Sequence, residues 1–100
     1  YVDDLASAIV IILNKYNRDL PINVGSGVDV RIDYLAKEIS KIVGFTGKIL
    51  FNSKFPDGTP RKLLDNSLIK KIGWKPKISL QSGLKSTIEW YIKNYNLKKK

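Results

Sequence analysis

The chain contains no cysteine, no histidine and no methionine among its 100 residues. Without cysteine it cannot form a disulfide, which favours a cytoplasmic setting over a secreted one. Without histidine and cysteine it offers no imidazole base, no thiolate nucleophile and no common zinc site. The sequence therefore predicts neither a self-sufficient active site nor a metal site within this chain.

Long hydrophobic runs are also missing. The longest, residues 8–13, has six apolar residues, whereas a membrane-spanning helix needs roughly 18 or more. No signal or transit segment is recognised at Tyr1, so we expect no membrane association. The apolar fraction of 43% is sufficient for the core of one domain or of a piece of a larger one.

Negative charge is scarce after the first third of the chain. Residues 1–30 carry two cations and four acids, a net charge of −2, whereas residues 31–100 carry sixteen cations and five acids, a net charge of +11. Such asymmetry is typical of proteins that meet an anionic partner. A set of solvated lysines explains the same numbers, and residues 98–100, all lysine, are expected to form a disordered basic tail.

Hydrophobic periodicity predicts four helices. The first is capped by Asp3 or Asp4 and includes residues 5–13, and the second covers residues 32–43 and stops at Gly44. A short third helix over residues 67–72 is capped by Asp65 and ends at Gly73. Ser79 caps the last helix, whose inward face is predicted to contain Leu80, Leu84, Ile88, Tyr91, Ile92 and Tyr95.

Short strands are predicted at residues 21–24 and 48–51. Two short strands do not make an independent sheet, and the first helix is apolar nearly all round, so that it should be covered on more than one side. Both features indicate a fragment that leans on a further part of a larger protein.

Three motifs have ordinary structural explanations. Gly25-Ser26-Gly27 resembles the start of a dinucleotide fingerprint, but Val30 stands where the third glycine is required, so a tight turn is favoured. Trp74 and the Trp90-Tyr91 pair are predicted to pack in the core or at its rim.

The PDGTPRK segment, residues 56–62, is the strongest candidate for a binding site. Pro56 and Pro60 restrict φ and Gly58 permits a sharp reversal, so the loop is held ready for a ligand. Arg61 can bind phosphate oxygens with two N–H groups, Lys62 adds a point charge, and Asp57 can accept hydrogen bonds from guanine. From these residues alone, an anion site and a plain connector both remain open.

A family resemblance covers essentially the whole chain. YVDDLA, INVGSG, VGFTGKILF, KFPDGTPRKLLD and IGWKPKISLQSGL follow the order and spacing seen in GDP-L-fucose synthases, a branch of the extended short-chain dehydrogenase/reductases. YVDDLA and INVGSG are common to many nucleotide-sugar enzymes, whereas the PDGTPRKLLD segment with IGWKP is more specific to this branch. Arg31 departs from the pattern, since relatives often have a capping Ser or Thr there.

The resemblance implies a fold and an activity. The fold class is α/β: the C-terminal substrate-binding lobe of an extended short-chain dehydrogenase/reductase, mostly helical with a few short strands. The parent enzyme would epimerise GDP-4-keto-6-deoxy-D-mannose and reduce it with NADPH to GDP-L-fucose. The Rossmann glycines and the catalytic residues are expected upstream, in an N-terminal domain absent from this chain. The chain alone is therefore expected to bind no NADP and to be inactive.

The resemblance also implies site residues and partners. Asp57 and Lys62 are expected to contact the GDP-sugar, with Arg61 as their neighbour. Residues 1–97 are expected to form the substrate-binding domain fragment, whose partners would be the GDP-sugar and the protein's own Rossmann domain, in a homodimeric parent without nucleic acid. The alternative is a free-standing basic module that binds nucleic acid or another polyanion.

Overall fold

The structure, a computed structural model, describes residues 1–95; residues 98–100, the predicted basic tail, lie outside the described residues. Four α-helices are present in chain order: α1 at Val2–Lys15, α2 at Ile32–Val43, α3 at Ser67–Lys71 and α4 at Leu80–Tyr95. None of these helices is long and apolar enough to cross a membrane. The four helices predicted from hydrophobic periodicity are thereby confirmed.

The chain divides into two compact units. The first unit consists of Tyr1–Asp29 and Asp57–Ile78 and contains α1 and α3. The second consists of Val30–Pro56 together with, among the described residues, 79–95, and contains α2 and α4. The 57–62 loop, the part of the PDGTPRK segment that belongs to the first unit, is therefore positioned by that unit.

The core of the first unit is small. Ala8 and Ile69 are fully buried, and Trp74 is 5% exposed, with its indole N–H donating to the Ser7 hydroxyl at 2.9 Å. The prediction that Trp74 packs in the core is confirmed. The partly buried hydrophobic residues against this core are Ile11, Ile12, Ile22, Val24 and Ile72.

The other side of α1 remains open to solvent within the described residues. Leu13 is 79% exposed. It belongs to an exposed stripe of apolar side chains, the open stripe, which consists of Val2, Leu5, Ile9 and Leu13. These residues recur every three or four positions, so they share one face of the helix, away from Ala8. The apolar breadth predicted for this helix is confirmed, and only one of its two apolar faces is covered.

The predicted cap of α1 is wrong, because neither Asp3 nor Asp4 occupies the N-cap position. Tyr1 occupies the N-cap and makes no side-chain cap bond. Asp4 lies in the first turn of the helix and is 7% exposed. Its carboxylate accepts the backbone N–H of Lys77 at 3.1 Å and that of Ile78 at 2.9 Å. It therefore stabilises a distant segment of the first unit rather than its own helix.

Predicted signals at the ends of α2 and α4 are confirmed, whereas the N-cap of α3 is Asn66 rather than the predicted Asp65. Gly44 ends α2 with φ 68°, and the N–H of Phe45 donates to the carbonyl of Ser40 at 2.8 Å, a pattern that closes helices. Asp65 accepts the N–H of Ser67 at the start of α3. Ser79 accepts the N–H of Ser82 at 3.1 Å.

The second unit is formed by α2 and α4, which pack on each other. Gly83 is its one buried residue among those described, and the Gln81 amide donates to the Tyr34 hydroxyl at 2.8 Å. Trp90 is 59% exposed and lies edge-on to Tyr95, so the Trp90-Tyr91 pair is at the surface rather than in a core.

The two predicted strands are not confirmed. Within residues 1–95, segments 21–24 and 48–51 are assigned no strand. A strand exists only where a neighbouring segment supplies the other half of a hydrogen-bonded ladder. Neither segment has such a neighbour in the part of the chain that the structure describes.

Candidate functional site

The 57–62 loop is anchored at its C-terminal end by a buried amide. Asn66 is 6% exposed, and its side-chain N–H donates to the carbonyl of Gly25 at 3.1 Å. Asn23 in turn donates to the carbonyl of Asp65 at 3.2 Å. These two bonds join residues about forty positions apart in sequence, so residues 65–66 are held against segment 23–25.

The Gly25-Ser26-Gly27 motif forms the tight turn predicted from the sequence. The Ser26 hydroxyl accepts the N–H of Val28 at 3.3 Å and donates to its carbonyl at 3.0 Å. Gly27 has φ 77°, and a Cβ at this position would lie 2.6 Å from the Asn66 side-chain nitrogen. Glycine is therefore required both by the backbone conformation and by the buried amide beside it.

An ion pair makes a second attachment. The Arg61 Nε donates to Asp29 Oδ2 at 2.7 Å, and Nη2 approaches Oδ1 at 3.5 Å. Hydrogen bonding from Arg61 lowers the pKa of the Asp29 carboxyl, and the same bond raises the pKa of Arg61. Both side chains are partly exposed, at 69% for Arg61 and 39% for Asp29. The pair thus joins the 57–62 loop to the residue that follows the glycine turn.

The other two predicted site residues have different surroundings. Asp57 and Lys62 are exposed, and neither side chain makes a hydrogen bond or an ion pair to any of residues 1–95. The 57–62 loop, which has two attachments to the rest of the unit, therefore offers a ligand the carboxylate of Asp57 and the ammonium group of Lys62. A carboxylate accepts from N–H and O–H groups, and an ammonium binds phosphate oxygens.

The structure places the three predicted residues on one loop, and they differ in whether an ion pair already occupies them. Arg61 is already paired, whereas Asp57 and Lys62 are not paired within the described residues. Sequence reasoning missed Asp29 and Asn66, since pairs 32 and 41 positions apart leave no local signature. Among residues 1–95 no group of three or more carboxylates could hold a metal ion.

Comparison with known proteins first defines a class. No family model matches the chain. A crystal structure of a GDP-6-OMe-4-keto-L-xylo-heptose reductase from Campylobacter jejuni is 37% identical with a TM-score of 0.80, over 91% of this chain and 29% of that one. A GDP-mannoheptose C4 reductase from the same species, solved with NADP bound, is 38% identical with a TM-score of 0.75, over 89% of this chain and 29% of that one. The fold is therefore that of the C-terminal lobe of extended short-chain dehydrogenase/reductases.

The relatives in sequence are more specific. A putative GDP-L-fucose synthase 2 from Arabidopsis thaliana is 50% identical over 99 residues, which are 99% of this chain and 30% of the relative. The GDP-L-fucose synthase of Escherichia coli K12 is 42% identical over 94% of this chain and 32% of its own length. The family resemblance is thereby confirmed: the chain is related over nearly its whole length to the C-terminal portion of the GDP-L-fucose synthases. It spans about 30% of the length of these relatives.

Proposed function

We propose that the full-length protein is an NADP-dependent GDP-L-fucose synthase and that this chain is its substrate-binding lobe. The enzyme epimerises GDP-4-keto-6-deoxy-D-mannose and reduces the product with NADPH. The observation that carries this proposal is the 50% identity to a GDP-L-fucose synthase over 99 residues. NADP and NADPH, present in solved neighbours of 38% and 35% identity, would be bound by the N-terminal domain.

The GDP-sugar is held by the 57–62 loop in this proposal. Lys62 binds the diphosphate, Arg61 lies beside it with the N–H groups that Asp29 does not use, and Asp57 accepts hydrogen bonds from the guanine edge. Support comes from the exposure of Asp57 and Lys62 and from the attachment of the loop through Arg61 and Asn66. A loop that is already ordered loses less conformational entropy when the nucleotide binds.

The remaining domain assignment is also a proposal. Residues 1–97 form the substrate-binding lobe, and the Rossmann domain lies in the part of the protein outside this chain. The open stripe of α1 supports a contact with that domain, and segments 21–24 and 48–51 would become short strands by pairing there. The family resemblance supports the further assignment of the full-length protein as a homodimer in the cytoplasm.

Lys62→Ala in the full-length protein tests the proposed site. A charge-assisted bond to phosphate contributes about 1.5–3 kcal/mol, so the KM for the GDP-sugar should rise on the order of 10- to 100-fold. The value of kcat should change little, because the diphosphate is held equally in the ground and transition states. Lys75→Ala is the matched control, since Lys75 is an exposed lysine of the same unit and should leave KM unchanged.

Asp57→Asn adds a test of base recognition. It retains the size of the side chain and removes the charge, so it should reduce the preference for GDP over other nucleoside diphosphates.

An unchanged KM in Lys62→Ala, together with a melting temperature lowered by several degrees, would make the loop a structural connector. The polyanion alternative instead predicts binding without guanine preference that weakens steeply with salt.

A further inference from the structure

We infer that Asp29 is a positioning residue for the GDP-sugar site, acting through Arg61 on the 57–62 loop. This inference rests on the proposed function and assigns a role to a residue outside the sequence motif that carries the loop. Asp29 does not touch the ligand in this account. It holds the loop in the conformation in which Lys62 meets the diphosphate.

The geometry of the ion pair carries the first step. Arg61 immediately precedes Lys62, so the direction of the Arg61 side chain constrains the backbone from which Lys62 projects. The Arg61 Nε lies 2.7 Å from Asp29 Oδ2, a length typical of a charge-assisted hydrogen bond. Nη2 is 3.5 Å from the other carboxylate oxygen, so the guanidinium presents one edge to Asp29 and its remaining N–H groups elsewhere.

The position of Asp29 in the chain carries the second step. Asp29 follows the glycine turn by two residues, and that turn is packed against Asn66, whose amide is bonded to Gly25. The carboxylate therefore projects from a segment that is itself held. Within residues 1–95, the loop between Asp57 and Arg61 makes side-chain hydrogen bonds only through Arg61. The loop is thus attached at two points. Arg61 within the loop pairs with Asp29, and Asn66, four residues after the loop, bonds to Gly25.

Charge distribution carries the third step. Two adjacent cations in a flexible loop repel each other and would offer a phosphate several alternative contacts. Pairing one cation with Asp29 leaves Lys62 as the unpaired one among the described residues. The loop then presents one ammonium group that has no partner among residues 1–95, and this arrangement favours a single binding geometry over non-specific attraction.

Asp29→Asn in the full-length protein is the primary test. It keeps the size of the side chain and removes the charge that holds Arg61. The KM for the GDP-sugar should rise about 3- to 10-fold, with kcat changed by less than about 2-fold, since only binding geometry is affected. Asp29→Glu, which retains the carboxylate, should recover most of the loss. The melting temperature should change little, because exposed ion pairs contribute little to folding.

Asp33→Asn is the matched control. Asp33 forms an ion pair with Arg31 at 2.9 Å, four residues from Asp29, but it belongs to the second unit. Its substitution should leave KM unchanged. If Asp33→Asn raised KM as much as Asp29→Asn does, a general loss of surface charge would explain both results and the inference would be wrong.

A double-mutant cycle with Lys62→Ala separates positioning from direct contact. If Asp29 acts by placing Lys62, the effect of Asp29→Asn should largely disappear when Lys62 is already alanine. Fully additive effects would overturn the inference, and so would an unchanged KM in Asp29→Asn. A lowered KM would overturn it as well, because Asp29 would then mask Arg61 from the phosphate. Each of these results leaves the proposed function intact, and Lys62→Ala separates the two: if it does not raise KM, the assignment of the GDP-sugar site to the 57–62 loop fails and the inference about Asp29 fails with it.

Discussion

Gly27 shows how one residue supports the candidate site. Its φ of 77° is a conformation that residues with a Cβ adopt only at a cost, and Asn66 fills the space that a Cβ would occupy. Asn66 cannot move aside freely, since it is buried and its N–H is bonded to the carbonyl of Gly25. The turn and the loop anchor therefore depend on a glycine at this position.

We predict that Gly27→Ala destabilises the protein by about 2–4 kcal/mol, of which the backbone conformation accounts for about 1–2 kcal/mol. Gly44→Ala is the control, because Gly44 has a similar φ of 68° and no atom of residues 1–95 lies within 4 Å of the added Cβ. Denaturant unfolding measures the loss of stability in both variants. The difference between the two losses reports the clash between the added Cβ and Asn66. Equal losses in the two variants would mean that Asn66 adjusts and that the contact is unimportant.

At the scale of elements, Asp4 connects α1 to the segment that contains Lys77 and Ile78. Hydrogen bonding from the Ile78 N–H is the largest influence on the Asp4 carboxyl and lowers its pKa, and burial opposes it. A carboxylate whose pKa is lower in the folded state adds stability that is fully present above its unfolded value of about 3.9. That stability is lost as the pH falls through the lower value of the folded state.

Asp4→Asn should therefore lower the melting temperature at pH 7, and the difference from the unsubstituted protein should shrink as the pH falls below about 3.9. Asn retains one acceptor oxygen but turns an amide N–H toward one of the two backbone donors. Asp3→Asn, an exposed aspartate in the same first turn, serves as the control and should have little effect. A difference that is independent of pH between 7 and 3 would show that the charge of Asp4 is not what holds residues 77 and 78.

At the scale of the whole molecule, α1 carries more apolar surface than the described residues cover. The open stripe of Val2, Leu5, Ile9 and Leu13 is exposed, and the chain spans about 30% of the length of its relatives. Apolar faces of this kind mark sites of contact with another part of a protein. We therefore expect the stripe to be covered in the full-length protein.

Ile9→Gln should have opposite effects in two settings. In the full-length protein it should lower stability by about 1–3 kcal/mol, because a polar amide replaces an apolar side chain at a covered surface. In the 100-residue chain alone it should reduce self-association, as measured by sedimentation, without lowering stability. Val28→Gln, at an equally apolar and 72% exposed position of the same unit, should do neither. A monodisperse isolated chain with full amide protection over residues 5–13 would contradict this account of α1.

Much of the helical structure was predictable because its signals are local. The 32–43 helix begins and ends as the sequence predicts, since periodic apolar residues and Gly44 act within one or two turns. The strands at 21–24 and 48–51 were not confirmed, because a strand depends on a neighbour that the local sequence does not contain. Asp4 was misassigned for a related reason: two adjacent aspartates at a helix start resemble a cap, whereas the backbone N–H groups that Asp4 accepts lie more than seventy residues away.

For the candidate site, the sequence by itself determined the loop's stiffness, its three charged residues and the family to which they point. Those properties reside in the residue types and their order, in particular Pro56, Pro60 and the adjacent Arg61 and Lys62. Only the tertiary structure decided which cation is paired and what holds the loop. The Asp29–Arg61 bond and the Asn66–Gly25 bond each join residues more than thirty positions apart, and such contacts exist only once the chain has folded and brought the two segments together.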